Sequence, residues 1–288
     1  EGIKIGIQKA QEKLKGYTIA VRDVNDPILK NAALIAGREN DDIAELVTQA
    51  AKLIGEEKLK ENNFKLKDII MSRAGAANEV FMGLIIDREK LNKQMPSEVN
   101  NIKILLIDDA LEPEEVAPEA LRTEAGFARF LQLKEELKEN LKKIVDLGVN
   151  VVLADKGISD EAEEILTDAG ILGLERVSRR DLERVSEHTG ARIIKRMSLK
   201  KPAEEIGNYI GYADKVYEDE KLKQIRIVGG KGIPMATVLV GAATEEIVGE
   251  RERIAKDAAS SLQAAVFHGV VPGGGVVEIA LARELEKH

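Results

Sequence analysis

Apolar residues recur along this chain with a helical period in some stretches and as short continuous runs in others. Ile3, Ile7, Ala10 and Leu14 share one face of a helix predicted over 2–14 and closed by Gly16. A short extended piece over 17–21 follows. Asn25-Asp26-Pro27 opens a second helix, with Asp26 as cap and Pro27 at the first helical position, carrying Ile28, Ala32 and Ile35. A third starts at Asp41 or Asp42 and turns Ile43, Leu46, Val47, Ala50, Leu53 and Ile54 inward until Gly55 ends it. A charged loop then leads to a strand over 67–71. The runs FMGLIIDRE, from Phe81, and IKILLIDD, 102–109, read as buried strands.

The longest stripe lies in the middle. Phe130, Leu133, Leu137, Leu141 and Ile144 follow at helical spacing, after an acidic, proline-punctuated loop over 113–118. The pattern from 119 to 147 predicts a helix of roughly 28 residues, about 40 Å long. Phe127 and Leu131 give its beginning an apolar tip, which suits either a core or an exposed contact surface. From 148 the chain alternates: strand NVVLADKG, helix 159–168 capped by Ser159, strand GILGLERV, helix 179–188 ended by Thr189-Gly190, strand ARIIK. This order predicts parallel strands with right-handed crossovers. A helix PAEEIGNYIG, two alternating strands ADKVYED and QIRIVGG, strand-like sequence over 235–241 and a helix over 244–267 complete the pattern. Pro272-Gly273-Gly274-Gly275 then turns the chain into a helix over 276–285.

Composition narrows the chemistry. With 288 residues there is room for two domains, and 44% apolar content is enough to fold them. Aromatics are only 3%, so the core is aliphatic. A net charge of −8 argues against a dedicated nucleic-acid surface. No apolar run approaches the roughly 20 residues that cross a membrane. The absence of cysteine removes disulfides, thiolate catalysis and cysteine zinc sites. His188, His268 and His288 stand without ligand spacing, so no metal site is expected. A charged fraction of 33% without cysteine fits a thermophile, and equally any helix-rich cytosolic protein. No signal-peptide pattern is visible, and a start at Glu1 without methionine points to a natural N-terminus upstream.

Three groups of residues could carry chemistry. Gly273-Gly274-Gly275 before a helix either joins two helices or lets an anion approach backbone N–H groups. Asp108 and Asp109 close a buried strand, where carboxylates either hold magnesium for phosphoryl transfer or simply end the strand. Gly229, Gly230 and Gly232 before Pro234 suit a hinge, since few residues must absorb the torsion change. No G-x-G-x-x-G follows the first strand of the alternating region, so a dinucleotide is not expected there.

Four strings resemble the chaperonin family over essentially the whole chain: DPILKNAALIAGRENDDIAELVTQAAKLIG, the α/β run from VNVVLADKG to ARII, VLVGAATEEIVGERERIAKDA, and KDAASSLQAAVFHGVVPGGGVVE. The apical insertion resembles group II chaperonins of the thermosome and CCT type, while AGRENDDIAELVTQAAKLIG and VGAATEE lean toward the bacterial group III branch. The fold implied is α/β: an apical domain with a parallel-type sheet, helices and a helical lid protrusion, plus a mainly helical intermediate domain. The resemblance divides the chain into the end of an equatorial domain (1–25), a first intermediate part (26–75), an apical domain (76–234) with its lid at about 112–133, a second intermediate part (235–268), and the start of the second equatorial half (269–288). It implies Asp257 as the carboxylate that positions the water attacking ATP, and Gly273, Gly274 and Gly275, chiefly Gly274, as nucleotide contacts. It implies Phe127, Phe130 and Leu131 as lid or client contacts, and Gly229, Gly230 and Gly232 as the hinge leaving the apical domain.

The family's GDGTT-type phosphate loop is not found here, nor the second half of an equatorial domain. ATP and magnesium are therefore expected in the full-length subunit and not firmly in this stretch, which should turn over poorly. The implied partners are non-native polypeptide and identical subunits in a cytoplasmic double ring with a built-in lid, without a co-chaperonin. The rival reading is a stand-alone magnesium-dependent phosphoryl-transfer enzyme using Asp108 and Asp109.

Overall fold

The protein, described by a computed structural model over residues 2–286, divides into two units: Glu1–Phe81 with Ala236–His288, and Met82–Met235. His288 lies outside the described residues. In chain order come α1 (Gly2–Tyr17), α2 (Pro27–Ala36), α3 (Asp41–Ile54), the single turn α4 (Glu56–Leu59), β1 (Ile70–Ala74), β2 (Glu79–Ile86) and β3 (Glu98–Ile107). They are followed by α5 (Glu124–Asp146), β4 (Val151–Ala154), α6 (Asp160–Asp168), β5 (Leu172–Leu174), α7 (Arg179–Thr189), β6 (Ile193–Ile194), α8 (Ala203–Gly207), β7 (Gly211–Asp219), β8 (Gln224–Val228), β9 (Ala236–Ala242), α9 (Val248–His268) and α10 (Val276–Leu285).

The first unit is built on α9. Its alanines at 255, 258, 259 and 265 leave little side chain between helices, so α2 and α3 pack closely through Leu29, Ala33, Ile43, Val47 and Ala50. Asp26 caps α2 as expected, its Oδ1 accepting the Ile28 N–H at 3.1 Å, with Pro27 at the first position. β1 and β9 run parallel, Ile70 opposite Val238 through Ala74 opposite Ala242. The strand expected over 67–71 begins only at Ile70, because Leu66–Ile69 closes into a 3-10 turn. Leu53, expected inside, is exposed. α1 forms as predicted but runs through Gly16 to Tyr17 and buries none of its residues.

The second unit is a mixed sheet in the order β2-β8-β7-β3-β4-β5. Here the expectation of a parallel-type sheet is only half met. β3, β4 and β5 pair in parallel, Ile104 opposite Val151 and Val151 opposite Leu172. β7 and β8, however, are joined by four residues, and so short a link allows only antiparallel pairing. β7 then runs antiparallel to β3, and β2 antiparallel to β8. β6 adds to β3, with Leu106 opposite Ile193, rather than to β5. The other edge of β5 is taken by a loop: Gly173 accepts from the Leu91 N–H at 2.9 Å and donates its own N–H to the Met95 sulfur at 3.2 Å.

The long helix is shorter than its pattern. Ala120–Arg122 is a 3-10 turn, Thr123 is extended (φ −100°, ψ 149°), and α5 starts at Glu124. The Thr123 hydroxyl accepts the Gly126 N–H at 3.0 Å and donates to the Ala120 carbonyl at 2.7 Å, which closes the turn onto the helix start. The 23 residues of α5 span about 35 Å. The stripe expected inside is buried from Leu133 through Leu137 and Leu141 to Ile144, joined by Asn140.

Candidate functional site

In the first unit, Asp257 projects from the middle of α9 with its side chain half exposed. Arg253, one turn earlier, donates from Nη1 to Asp257 Oδ2 at 3.0 Å. The same guanidinium grips Glu250 through Nε at 3.0 Å and Nη2 at 2.8 Å, and Glu250 also pairs with Arg38 at 2.9 Å. Arg38 (φ +53°) and Glu39 (φ +61°) are consecutive left-handed residues without a glycine between them. Asn40 holds this turn by donating to the carbonyls of Gly37 (2.8 Å) and Arg38 (3.3 Å). Gly37 packs so near α9 that a Cβ on it would meet the Ala258 Cβ at 3.5 Å. A strained turn thus abuts the neighbour of Asp257 and reaches it through three ion pairs. Each pair is exposed and individually weak. Sequence reasoning missed this turn, since a left-handed Arg-Glu pair has no residue signature.

The glycine turn lies in the same unit. Gly274 (φ +71°) and Gly275 (φ +78°) are left-handed, and a Cβ on any of Gly273, Gly274 or Gly275 would meet nothing within 4 Å. Gly275 stands at the N-cap of α10 without a side-chain cap bond. The turn is tied to the rest of the unit by Ile19 and Val270, which exchange N–H···O bonds of 2.8 and 3.0 Å, so the extended piece expected at 17–21 pairs here. Among the described residues, no hydrogen bond links Asp257 to the turn.

In the second unit, Phe127 (53% exposed) and Leu131 (50%) stand out from the start of α5. Phe130 is half-buried, its ring 6.4 Å from that of Phe127 and 5.0 Å from the Lys134 ammonium. Lys134 in turn pairs with Glu161 at the start of α6, at 2.7 Å. Between the 112–118 loop, α5 and α6 runs a groove of about 610 Å³ whose walls include Pro113, Val116, Leu121, Phe130 and Lys134. The α6 wall was not legible in the sequence, because Ser159 and its neighbours read only as a helix start.

Asp108 and Asp109 are placed differently from the phosphoryl-transfer reading. Asp108 is gripped by Lys195 at 2.9 Å and by Arg179. Hydrogen bonding from Lys195 first, and from Arg179 as well, holds its carboxyl below the usual range. Asp109 accepts the Ala110 N–H at 2.9 Å and has Lys156 at 3.9 Å. A cation at Asp108 would have to displace both basic groups. Among the described residues, no group of three or more His, Asp or Glu converges to hold a metal.

Gly229, Gly230 and Gly232 lie in the second unit as a strap against the end of α7 and against β7. A Cβ at these positions would fall 2.1 Å from Asp214 Oδ2, 2.1 Å from the His188 carbonyl oxygen and 2.2 Å from that of Glu187. Close approach requires glycine here, whatever torsion the segment also absorbs.

Comparison with known proteins matches all of residues 1–288 to the TCP-1/cpn60 chaperonin family. The thermosome subunit of Pyrococcus horikoshii is 32% identical over 306 residues, covering 100% of this chain and 55% of its own length. The thermosome subunit beta of Archaeoglobus fulgidus is 33% identical, covering 99% of this chain and 55% of its own. The crystal structure of a group III chaperonin in the open state superposes with a TM-score of 0.93 at 41% identity, over 99% of this chain and 58% of that one. The open-state monomer of a group II chaperonin from Methanococcoides burtonii gives 0.71 at 26% identity, over 99% of this chain and 68% of that one. The chain thus spans about 55% of the length of the curated relatives it matches.

Proposed function

Since the chain belongs to the TCP-1/cpn60 chaperonin family, we propose that it is the apical and intermediate part of a thermosome-like subunit with a built-in lid, of the bacterial group III kind and working in the cytoplasm. The observation that carries this reading is the apolar tip of α5, where Phe127 and Leu131 are half exposed on an otherwise charged helix. A soluble domain gains nothing by presenting such a tip to water, so it serves contact. The segment from Glu112 to Leu133 is the lid protrusion. The adjoining groove takes apolar segments of non-native polypeptide with little sequence preference, Phe130 supplying the apolar floor and Lys134 and Glu161 the polar rim.

The full subunit hydrolyses ATP with magnesium, and the residues present fit part of that site. Gly274 and Gly275 leave open space before an uncapped helix start, which suits a phosphate. ATP, when bound, supplies the phosphoryl group whose transfer to water drives the cycle. Asp257 would accept a hydrogen bond from that water and orient it, while Arg253, bonded to Oδ2, leaves Oδ1 as the oxygen free to do so. The strap at 229–232 serves as the hinge of the apical domain. Identical subunits form the double ring, and the built-in lid replaces a separate co-chaperonin.

The test is suppression of aggregation of a chemically unfolded protein by the purified chain, without nucleotide. We expect suppression by the parent and its loss in Phe127→Glu/Phe130→Glu. Suppression that survives in the double variant moves client binding to another apical face. Its absence in the parent, together with magnesium-dependent phosphate release, overturns the chaperonin reading.

A further inference from the structure

The strap over 229–233 caps α7. The last carbonyls of a helix have no partner within it, and here Gly232 donates its N–H to the His188 carbonyl at 2.8 Å and Ile233 to that of Glu187 at 2.7 Å. Lys231 donates its N–H to the Tyr212 carbonyl of β7 at 2.9 Å. The His188 side chain adds a second set of bonds. It is 3% exposed. Its Nδ1 lies 3.1 Å from the Ile233 carbonyl, which can only accept, so Nδ1 carries the proton. Its Nε2 lies 3.2 Å from the Gly230 nitrogen, which can only donate, so Nε2 is bare. Both ring nitrogens are used by the strap, and only the neutral Nδ1–H tautomer satisfies both contacts.

A second proton would have to enter at Nε2, where it would face the Gly230 N–H. The charged groups around the ring do not invite it. Arg184 lies one turn earlier on α7, and Lys231 on the strap is already paired with Asp214 of β7. Glu187 precedes His188 on the helix, but among the described residues no carboxylate is hydrogen-bonded to the ring. Burial is the largest influence and lowers the imidazole pKa; the Ile233 carbonyl partly opposes this, and Arg184 adds to it.

We infer that His188 is a proton-sensitive latch: neutral, it clasps the 229–233 strap onto α7, and a proton on Nε2 sets donor against donor and releases the strap. The sign follows from linkage. With the strap released, the ring returns to an ordinary pKa of about 6.5. Clasping is therefore fully favoured above that pH. It weakens as pH falls below about 6.5, by up to roughly tenfold per unit, until the clasped ring itself takes the proton. The latch lies wholly within Met82–Met235, so it stands or falls separately from the chaperonin reading.

Residue-resolved amide exchange of this chain between pH 7.5 and 5.0, corrected for intrinsic rates, tests it. Protection at Gly230, Gly232 and Ile233 should fall by up to about tenfold per pH unit below ~6.5, while Leu105 and Val152 in the sheet keep theirs. In His188→Gln the side-chain amide offers an oxygen to Gly230 and an N–H to Ile233 without titrating, so strap protection should no longer depend on pH. Should that variant fail to fold, ¹⁵N shifts of the parent ring decide. An Nδ1–H tautomer that titrates below 6.5, together with loss of Gly230 protection, supports the latch. Flat strap protection in the parent, titration of His188 at or above 6.5, or an undiminished pH response in His188→Gln overturns it.

Discussion

Gln263 joins α9 to the end of α4 and the loop that follows it. Its Nε2 donates to the carbonyls of Leu59 (2.8 Å) and Phe64 (2.9 Å), and its Oε1 accepts the Leu66 N–H at 2.9 Å. It is only 9% exposed, so these partners are largely withdrawn from water. Gln263→Ala should cost about 2–3 kcal/mol, read from denaturant unfolding, because backbone groups are left unpaired under cover. Asp108 makes a second residue-scale case. Its carboxyl is held below the usual range by Lys195 and Arg179, so its contribution is present above the unfolded pKa and vanishes as pH falls through the lower folded value. Asp108→Asn should therefore be less stable than the parent at pH 7, and the two should converge in strong acid. Magnesium at millimolar concentration should leave that difference unchanged; a magnesium-dependent gain confined to the parent would revive the metal reading. Asp26 and Ser159 were legible as helix caps, because a cap acts on backbone only a few positions away. Asp108 was not, since Arg179 stands 71 positions along the chain.

At the scale of elements, α5 has two parts with different duties. Leu137 and Leu141 are buried in the second unit's core, so replacing either by Ala should cost about 2–5 kcal/mol. Phe127→Glu/Leu131→Glu should leave the unfolding midpoint nearly unmoved, because those side chains are already half exposed. The tip's own geometry hangs on Gly126, where a Cβ would fall 1.9 Å from the Ala120 carbonyl oxygen. Gly126→Ala should push the 120–123 turn off the helix, seen as faster proteolysis there with little loss of global stability. The stripe from Leu133 to Ile144 was readable because helical period and burial agree. The helix start was misplaced by about five residues, because Ala, Leu and Arg at 120–122 favour helix while Thr123 turns out of it.

For the whole molecule, two cores with no residue in common account for most of the buried aliphatic side chains. Calorimetry should resolve more than one transition. Leu262→Ala should lower one of them and Leu141→Ala another; a single transition moved by both variants would mean the units unfold as one. The α1 helix belongs to neither core: Ile3, Ile5 and Ile7 are exposed at 83, 48 and 54%. Its cover comes mainly from α10, where Lys13 pairs with Glu284 at 3.3 Å, so its amides should exchange faster than those of α2, α3 and α9, since a helix with so little packing is marginal in water.

What the sequence determined by itself was local or familial. Helical stripes, caps, glycine stops and the strand runs follow from contacts a few positions apart, and the four long strings identify the family. What only the tertiary structure decided was long-range. It set the antiparallel β7–β8 return, the placing of β6 beside β3, the cations on Asp108, and the clasp of His188 on a strap more than 40 positions away. An apolar period says that a face is fit for burial, and α1 has that period with no residue fully buried. Which face finds a partner depends on elements distant in the chain, and no pattern read along it contains that pairing.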